Sequence, residues 1–284
     1  MIVISGSSSQ GLSADLASEL DVELVRATGK RFPDGECYVR IEREELDPEV
    51  VIVQNSFPDG DLVELLLLQE AALGMGAEHI TTVVPYFGYA RQDKRFERGE
   101  PISAKVMAQH IQMSSDRIIT VDIHSPYILE WFDRSQATDV RAGPEIGSYF
   151  SDQGIDLVLA PDEGAAGRAR EVASIIGSDW DHLVKTRLSG DQVRITPKSL
   201  DVEGKEILIV DDIISTGGTI TAASRELRRM GAMRITAACT HGLFAQGALG
   251  KLRDECDRVV AANTLEGEVS EISVAPQVAM ALRP

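Results

Sequence analysis

The strongest constraint on the fold is an alternation between short apolar runs and segments with helical spacing. The apolar runs of the first half are MIVIS, VVIVQN, ITTVVPY and RIITVDIH. Those of the second half are DLVLAPDEG, EILIVDD, RITAACTH and DRVVAANT, and helical spacing occupies residues 61–74, 102–112, 165–176 and 218–230. Because continuous apolar runs are typical of strands covered on both faces, the pattern predicts an α/β protein with mostly parallel, twisted sheets flanked by helices.

The sequence also predicts where the chain divides into domains. The segment RAGPEIGSYF contains Gly143-Pro144, a combination that often separates domains. We therefore predict two domains, 1–142 and 143–284, each of ordinary size. Both halves carry an apolar strand that ends in an acidic residue, in RIITVDIHS and EILIVDDIIS. This shared pattern predicts a duplicated fold with ligands at the carboxyl ends of the strands.

The charge balance excludes some partners. The 284 residues include 45 acidic and 28 basic side chains, a formal charge of -17. Such a charge disfavours binding to nucleic acid or to an anionic membrane. The bases comprise only 7 Lys against 21 Arg. Scarce lysine with abundant acid favours a protein adapted to high salt over an ordinary acidic cytosolic enzyme, and both interpretations stay open.

Cysteine usage and hydropathy bear on the compartment. Cys37, Cys239 and Cys256 are scattered and form no CxxC motif, so we expect a reducing, cytoplasmic interior. The start, MIVISGSSSQG, lacks the features of a signal peptide. The most apolar stretch, LVELLLLQEAALG, is too short and too interrupted by polar residues to span a membrane, and it predicts a buried helix.

The run VDDIISTGGT at 210–219 combines acids, hydroxyls and glycines between a strand and a helix. Free N–H groups at a helix start, close backbone approach at glycine and nearby hydroxyls suit a phosphate. Neither GxxxxGK[ST] nor GxGxxG occurs in the chain. Asp211 and Asp212 would repel a phosphate unless a metal intervenes, but they accept hydrogen bonds from a sugar diol. The run therefore predicts a ligand with a diol at one end and a phosphate at the other, the shape of ribose 5-phosphate.

This run resembles the phosphoribosyl-binding loop of type I phosphoribosyltransferases and of ribose-phosphate diphosphokinases, and alone it does not separate the two. Two further segments, FPDGE (32–36) and YFGYARQDKRFERGEPISAK (86–105), resemble the nucleotide-binding segments of the diphosphokinases. The family's remaining motifs follow in order as VDIHS (121–125), APDEG (160–164) and KTR (185–187). The length and the KTRLSGD segment are most similar to the archaeal members. The resemblance implies a phosphoribosyltransferase-like fold in both domains.

The resemblance also implies a reaction. It is the Mg²⁺-dependent transfer of the β,γ-diphosphoryl group of ATP to the C1 hydroxyl of ribose 5-phosphate, which gives 5-phosphoribosyl 1-diphosphate and AMP for nucleotide biosynthesis. Positions matching the family's ATP contacts are Phe32, Asp34, Glu36, Arg91 and Gln92. Positions matching its ribose 5-phosphate contacts are Asp211, Asp212, Ser215, Thr216, Gly217, Gly218 and Thr219.

The same resemblance gives Lys185 and Arg187 the role of stabilising charge on the phosphates, and His124 and Asp162 that of binding Mg²⁺, directly or through water. No residue stands out as a general base. The PDG of FPDGE and the charged RQDKR segment, taken alone, would be a turn and a solvated loop. One departure is visible: where the family usually has Pro-Asp-x-Gly-Gly, the second glycine is Ala165 here, which limits backbone approach to a pyrophosphate.

Two alternative functions predict different features in the sequence. A phosphoribosyltransferase would share the 210–219 loop, but it needs no ATP segments. A non-catalytic regulatory homologue would bind nucleotide without turnover, and it should have lost charged residues that this chain retains. The family assembles as homodimers or larger homo-oligomers, so we expect self-association.

Overall fold

The computed structural model describes residues 1–189, 192–197 and 201–283, and for 184–189 and 192–197 it gives the backbone alone. It confirms the predicted α/β class, with two mostly parallel sheets flanked by helices. The chain divides into two compact units. Unit 1 comprises Met1–Arg141, Asn263–Glu266 and Ser273–Pro284, and unit 2 comprises Ala142–Ala262 and Gly267–Ile272.

The first half of the chain forms the strands of unit 1 and three of its helices. Its strands are β1 (Ile2–Ser5), β2 (Leu24–Arg31), β3 (Cys37–Ile41), β4 (Glu49–Val53), β5 (His79–Val84), β6 (Arg117–Val121) and β7 (Gln136–Val140). Its helices in this stretch are α1 (Gln10–Leu20), α2 (Asp59–Gly74) and α3 (Ser103–Ile111).

The second half of the chain supplies a matching set. Its strands are β8 (Leu157–Ala160), β9 (Asp179–Ser189), β10 (Gln192–Pro197), β11 (Glu206–Ile214), β12 (Arg234–Gly242), β13 (Arg258–Ala262) and β14 (Ser270–Ile272). Its helices are α4 (Gly143–Phe150), α5 (Ala166–Ile176), α6 (Gly218–Arg229), α7 (Ala248–Arg253) and α8 (Ala275–Leu282).

The two sheets have the same topology. The strand order is β3-β2-β1-β4-β5-β6-β7 in unit 1 and β10-β9-β8-β11-β12-β13-β14 in unit 2. In each sheet the first-named strand pairs antiparallel with its neighbour and the rest are parallel. Because each parallel step needs a crossover, helices follow the central strands and cover the faces. This equivalence confirms the predicted duplication.

The apolar runs form the cores, as their composition dictates. All four residues of β1 and all four of β8 are buried. The helix predicted from LVELLLLQEAALG is α2, and it buries one face, including Leu65 and Leu68. Its other face leaves Val63 and Leu67 exposed, so the predicted buried helix is buried on one face. No described helix combines the length and the apolar character needed to cross a membrane.

The units differ from the predicted bounds of 1–142 and 143–284 because their last helices are exchanged. Helix α4 follows β7, the last strand of unit 1, but it packs on α5 in unit 2. Helix α8 follows β14, the last strand of unit 2, but it packs on α1, β6 and β7 in unit 1. Polar contacts reinforce this placement, since Arg117 Nη2 donates to Ala281 O at 2.7 Å and Ser273 Oγ donates to Asp15 Oδ2 at 2.6 Å.

We expect Val278→Asp to destabilise unit 1 by at least about 3 kcal/mol, because Val278 is fully buried and an unpaired carboxylate there would lose its hydration. Hydrogen exchange read by mass spectrometry should show faster exchange in β1 and α1 than in β8 and β11. The matched control is Met280→Asp on the same helix, since Met280 is 63% exposed. Equal exchange in the two variants would contradict the packing of α8 within unit 1.

Candidate active site

The two adjacent acids of unit 2 lie on β11 near its carboxyl end. Both side chains are half-buried, and Asp211 pairs in register with Cys239 of β12. The Asp212 N–H donates to Asp211 Oδ1 at 2.9 Å, and the Ile213 N–H donates to Asp212 Oδ1 at 2.8 Å. Each carboxylate is thereby oriented by the backbone of the residue that follows it.

The acids differ from ordinary surface carboxylates. Burial raises the pKa of Asp211 to about 8, the neighbouring Asp212 carboxylate adds to the rise, and the Arg168 guanidinium opposes it. Burial likewise raises the pKa of the Cys239 thiol, and the two acids contribute to that effect. Burial and the adjacent carboxylate thus make the ionised form of Asp211 less favourable than that of a surface acid, and its oxygens remain able to accept hydrogen bonds from a hydroxylated ligand.

The loop that follows opens α6 as an anion-binding turn. Gly217 is the N-cap residue with φ of 71°, a left-handed conformation that favours glycine, and a Cβ there would meet Leu252 Cγ at 3.2 Å. The N-cap glycine has no side chain with which to cap the helix, and a Cβ at Gly218 would meet no atom within 4 Å. Since the first-turn N–H groups of a helix lack intrahelical acceptors, this end can hold a phosphate. The hydroxyls of Ser215 and Thr219 are half-buried beside it.

The loop after β8 lies at the same edge, because β8 and β11 are parallel neighbours. Asp162 is exposed, and its Oδ1 accepts from the Ala165 N–H at 3.2 Å. Ala165 has φ of −88°, a right-handed conformation open to any residue, so alanine fits where the family usually has glycine. The Ala165 N–H is engaged by Asp162, however, so a pyrophosphate would have to compete for it.

Lys185 and Arg187 lie on β9, where they pair in register with Ile195 and Val193 of β10. The last residue of β8, Ala160, pairs with His182. The backbone at Lys185 and Arg187 therefore extends past the carboxyl end of β8. Their side chains lie outside the described part of the structure.

In unit 1 the predicted adenine-binding segment is the turn of the β2–β3 hairpin. Phe32 is 40% exposed, its ring meets Tyr38 edge-on at 5.8 Å, and Lys30 Nζ lies 5.3 Å from its centroid. Asp34 Oδ1 accepts from the Glu36 N–H at 3.0 Å, and both acids are exposed. The segment is a turn, and it presents an aromatic face and two carboxylates to solvent.

The predicted phosphate-binding residues lie in the long loop between β5 and α3. Arg91 is exposed, and the backbone of Gln92 bonds both to Tyr89 O at 2.9 Å and to the Ala104 N–H at 3.3 Å. The loop ends are thus fixed while its basic side chains, including Arg95 and Lys94, face outward. This arrangement suits contacts with an oligophosphate.

His124 follows β6 on a constrained turn and is exposed. Asp122 has φ of 43°, and its Oδ1 lies 2.9 Å from Arg141 Nε. Asp139 accepts from Thr120 Oγ1 at 2.6 Å and from the Ile123 N–H at 2.9 Å. Burial raises the pKa of Asp139 to about 6, although these hydrogen bonds act in the opposite direction.

Sequence reasoning missed two groups at these sites. Arg168 acts on Asp211 from the first turn of α5, and its signal was the basic GRAR segment two residues after APDEG. Asp139 holds the turn before His124, and its signal was an acid near the end of the strand-like segment QATDV. Among the described residues no cluster of three or more His, Cys, Asp or Glu could hold a metal ion. The predicted metal ligands His124 and Asp162 belong to units 1 and 2, respectively.

The fold and the sites together define a class of protein. It is a duplicated α/β chain with a phosphoribosyl-type loop, in which two acids are followed by a helix that begins at glycine. Family models agree. Residues 1–114 match the N-terminal domain of ribose phosphate pyrophosphokinase, and residues 146–278 match the phosphoribosyl transferase domain.

Whole-length relatives specify the family. A ribose-phosphate pyrophosphokinase of Methanopyrus kandleri is 46% identical over 99% of this chain and 98% of its own, and one of Methanothermobacter thermautotrophicus is 42% identical over 98% of each. The crystal structure of phosphoribosylpyrophosphate synthetase from Mycobacterium smegmatis superposes with a TM-score of 0.82 at 31% identity, covering 99% of this chain and 97% of that one. The chain belongs to the ribose-phosphate pyrophosphokinase family of enzymes.

Replacing the neighbouring acid should change how Asp211 titrates. In Asp212→Asn we expect the pKa of Asp211 to fall from about 8 by about one pH unit or more, because a like charge is removed. Carbon-13 NMR of labelled aspartate carboxyls measures it, with Glu206→Gln at the far end of β11 as the control. Because a raised folded-state pKa favours the protonated fold, the free energy of unfolding should fall as pH rises toward 8, and less so in Asp212→Asn. An unchanged Asp211 titration would contradict the coupling.

Proposed function

We propose that this chain transfers the β,γ-diphosphoryl group of ATP to the C1 hydroxyl of ribose 5-phosphate. The C1 oxygen bonds to the β-phosphorus, the bond from the β-phosphorus to the α,β-bridging oxygen breaks, and AMP leaves with that oxygen. The hydroxyl proton is released, and 5-phosphoribosyl 1-diphosphate is formed. The observation that carries the proposal is the carboxyl end of β11, where Asp211 and Asp212 precede the open, glycine-capped start of α6.

In this proposal unit 2 holds the sugar phosphate. Asp211 and Asp212 take the ribose diol, directly or through a metal, and residues 215–219 take the 5-phosphate. The two requirements are met by one strand end, since carboxyl oxygens accept from hydroxyls and helix N–H groups donate to phosphate. The Arg168 guanidinium supports this role, because it supplies positive charge near Asp211.

Unit 1 holds ATP in this proposal. Arg91 and Gln92 contact its phosphates, and the Phe32 turn, with Asp34 and Glu36, contacts adenine. The exposed Phe32 ring offers a stacking face, and exposed carboxylates can accept from the exocyclic amine. Lys185 and Arg187 stabilise negative charge in the transition state. Positioning and charge stabilisation supply the catalysis, as expected for phosphoryl-type transfer without a general base.

The residues present fit Mg²⁺. Exposed Asp162 and the Asp211–Asp212 pair offer hard oxygen donors, and Mg²⁺ is usually held by one or two carboxylates plus substrate phosphates and water. We assign His124 and Asp162 to that ion, with His124 acting directly or through water. When bound, Mg²⁺ supplies charge neutralisation on the ATP phosphates.

The proposal extends to the state of the enzyme in the cell. We propose a homodimer or larger homo-oligomer in the cytoplasm, with no nucleic-acid or membrane partner. Free thiols at Cys239 and Cys256, both buried, support a reducing compartment. The formal charge of -17 supports the absence of anionic macromolecular partners.

Phosphorus NMR tests the reaction. With Mg²⁺, ATP and ribose 5-phosphate in high salt, we expect AMP and a new C1-diphosphate signal that both require the sugar. ADP as the product would instead mean an ordinary kinase. Folded protein that binds nucleotide without turnover across salt concentrations would indicate a regulatory homologue. If 5-phosphoribosyl 1-diphosphate and a nucleobase are supplied instead, formation of the nucleotide with release of pyrophosphate, and with ATP unused, would indicate a phosphoribosyltransferase.

For the charge-stabilising role, we expect Lys185→Ala to lower kcat by about 10²- to 10³-fold while the KM values change little, because its charge acts mainly on the transition state. Steady-state kinetics measures both parameters. Lys205→Ala is the control, since Lys205 directly precedes β11 at the opposite end of the strand. A Lys185→Ala enzyme with unchanged kcat would contradict the charge-stabilising role of Lys185.

A further inference from the structure

In unit 1 the loop between β5 and α3 is held by specific side chains on both sides of Arg91 and Gln92. On the side toward β5, Tyr89 has φ of 65°, a left-handed conformation that a non-glycine residue seldom adopts. The Tyr89 hydroxyl donates to Asp59 Oδ1 in the first turn of α2, and the Tyr89 carbonyl accepts from the Gln92 N–H at 2.9 Å. The backbone that leads into Arg91 is therefore fixed to α2.

On the other side of this pair the fixing residue is Asp93. Its Oδ2 accepts from Ser125 Oγ at 2.5 Å, and its backbone O accepts from the Tyr127 hydroxyl at 3.3 Å. Both donors lie in the segment after β6, and Ser125 directly follows His124. One residue of the β5–α3 loop is thus bonded, through its side chain and its backbone, to the segment that carries a predicted metal ligand.

The Ser125 hydroxyl is used for this contact and not for helix capping. Ser125 is the N-cap residue of the 3₁₀ helix Pro126–Trp131, a position where a serine oxygen usually accepts from a first-turn N–H. Here the side chain makes no such bond, and the Ser125 carbonyl accepts from the Ile128 N–H at 3.0 Å. Both Ser125 and Asp93 are half-buried. The hydrogen bond between them, which we call the Asp93–Ser125 tie, therefore joins two segments that are distant in sequence.

The segment that carries His124 is itself anchored on the sheet. Asp139 Oδ1 accepts from the Ile123 N–H at 2.9 Å, and Arg141 Nε lies 2.9 Å from Asp122 Oδ1. Asp122 is 2% exposed and Ile123 is 5% exposed, so the chain is part of the packed interior up to His124. The tie thus connects the β5–α3 loop to a turn that the sheet holds in place.

Asp93 is an unfavourable residue beside phosphates unless it has another task. The nearest charged side chains in sequence are basic and exposed, namely Arg91, Lys94 and Arg95. By Coulomb's law, an acid among them weakens the attraction of the loop for an oligophosphate. The hydrogen bond from Ser125 gives this acid a structural task that compensates for its charge.

We propose that Asp93 is a positioning residue: through Ser125 and Tyr127 it joins the Arg91–Gln92 segment to the His124 turn, so that both segments meet the phosphates of one ATP–Mg²⁺ complex in a fixed relation. This inference rests on the proposed function of unit 1. Asp93 acts through its neighbours and not by touching the nucleotide. Because groups that are held in advance lose less conformational freedom on binding, the tie raises the affinity for that complex.

Hydrogen exchange of the protein without ligand tests the tie itself. The Gln92 and Ile128 N–H groups lie on opposite sides of it. In Ser125→Ala we expect the peptide that contains Gln92 to exchange about fivefold faster or more, and in Asp93→Ala the peptide that contains Ile128 should do the same. Mass spectrometry measures both peptides. Unchanged exchange across the tie in both variants would overturn the inference.

Calorimetric titration tests what the tie does for binding. In Asp93→Ala we expect the ATP–Mg²⁺ complex to bind about 10-fold more weakly, and metal-free ATP, measured with EDTA, about 2-fold more weakly. The difference arises because metal-free ATP does not engage the His124 turn through an ion. The control Glu97→Gln removes an exposed acid of the same loop, and it should bind as tightly as the unaltered protein or more tightly, since charge alone favours that result.

Conservative variants separate positioning from a general loss of structure. Asp93→Asn keeps an oxygen acceptor and Ser125→Thr keeps the hydroxyl donor, so each should retain the affinity within about 3-fold. The double variant Asp93→Ala with Ser125→Ala should bind no more weakly than Asp93→Ala alone, because the two residues act as one unit. A loss equal to the product of the two single losses would overturn the inference, as would unaltered affinity in both single variants.

If Asp93→Ala does not fold, Ser125→Ala compared with Ser125→Thr carries the same test, and equal affinity in these two variants counts against the tie. Failure of the proposed function is seen separately, before any variant is compared. It would appear as an unaltered, folded protein that binds neither ATP nor its Mg²⁺ complex, and this inference would fall with it.

Discussion

Anion binding at the carboxyl ends of the strands depends on the N–H groups at the start of a helix that follows a parallel strand, because these groups have no acceptor within the helix. A parallel sheet requires such helices, and it brings their starts to the edge where the strands end. These donors need acceptors. In unit 2 the N-cap residue of α6 is a glycine, which has no side chain to cap the helix, so this end can take an anion. In unit 1 the chain supplies carboxylates of its own, Glu64 to Ser7 and Glu266 to Leu12. Side chains therefore decide how many of the donors at a helix start already have acceptors within the chain.

The acids of β11 show how the same edge is adjusted electrostatically. A carboxylate beside a phosphate site would repel the ligand if it were fully ionised. Burial and the adjacent Asp212 raise the pKa of Asp211 and so favour its protonated form, while Arg168 supplies a positive charge nearby. The chain thus places hydroxyl-binding groups next to phosphate-binding groups at little electrostatic cost. The formal net charge of -17 does not reveal this local arrangement of acids and Arg168.

Sequence patterns predicted the features that are local. The helix expected at 218–230 is α6, Gly218–Arg229, because apolar spacing and the preceding glycines are read along one segment. The acids and glycines of 210–219 likewise lie on one strand and one turn. Patterns missed β2 because Leu24–Arg31 is mostly exposed and has no continuous apolar run. They also missed the pairing of Glu64 with Ser7, the pKa of Asp211 and the partner of α8, since each depends on which segments the sheet order brings together.

The exchange of the terminal helices separates the order of synthesis from the order of completion. A ribosome makes the seven strands of unit 1 first, yet α8, which covers α1, is the last helix of the described chain to be translated. In the nascent unit 1 the apolar face of α1 therefore stays uncovered until all the strands of unit 2 have been made. Unit 2 receives α4 before its own sheet is begun. The half that is made second is thus the first able to close its core, and the first half keeps apolar surface exposed for longer during synthesis.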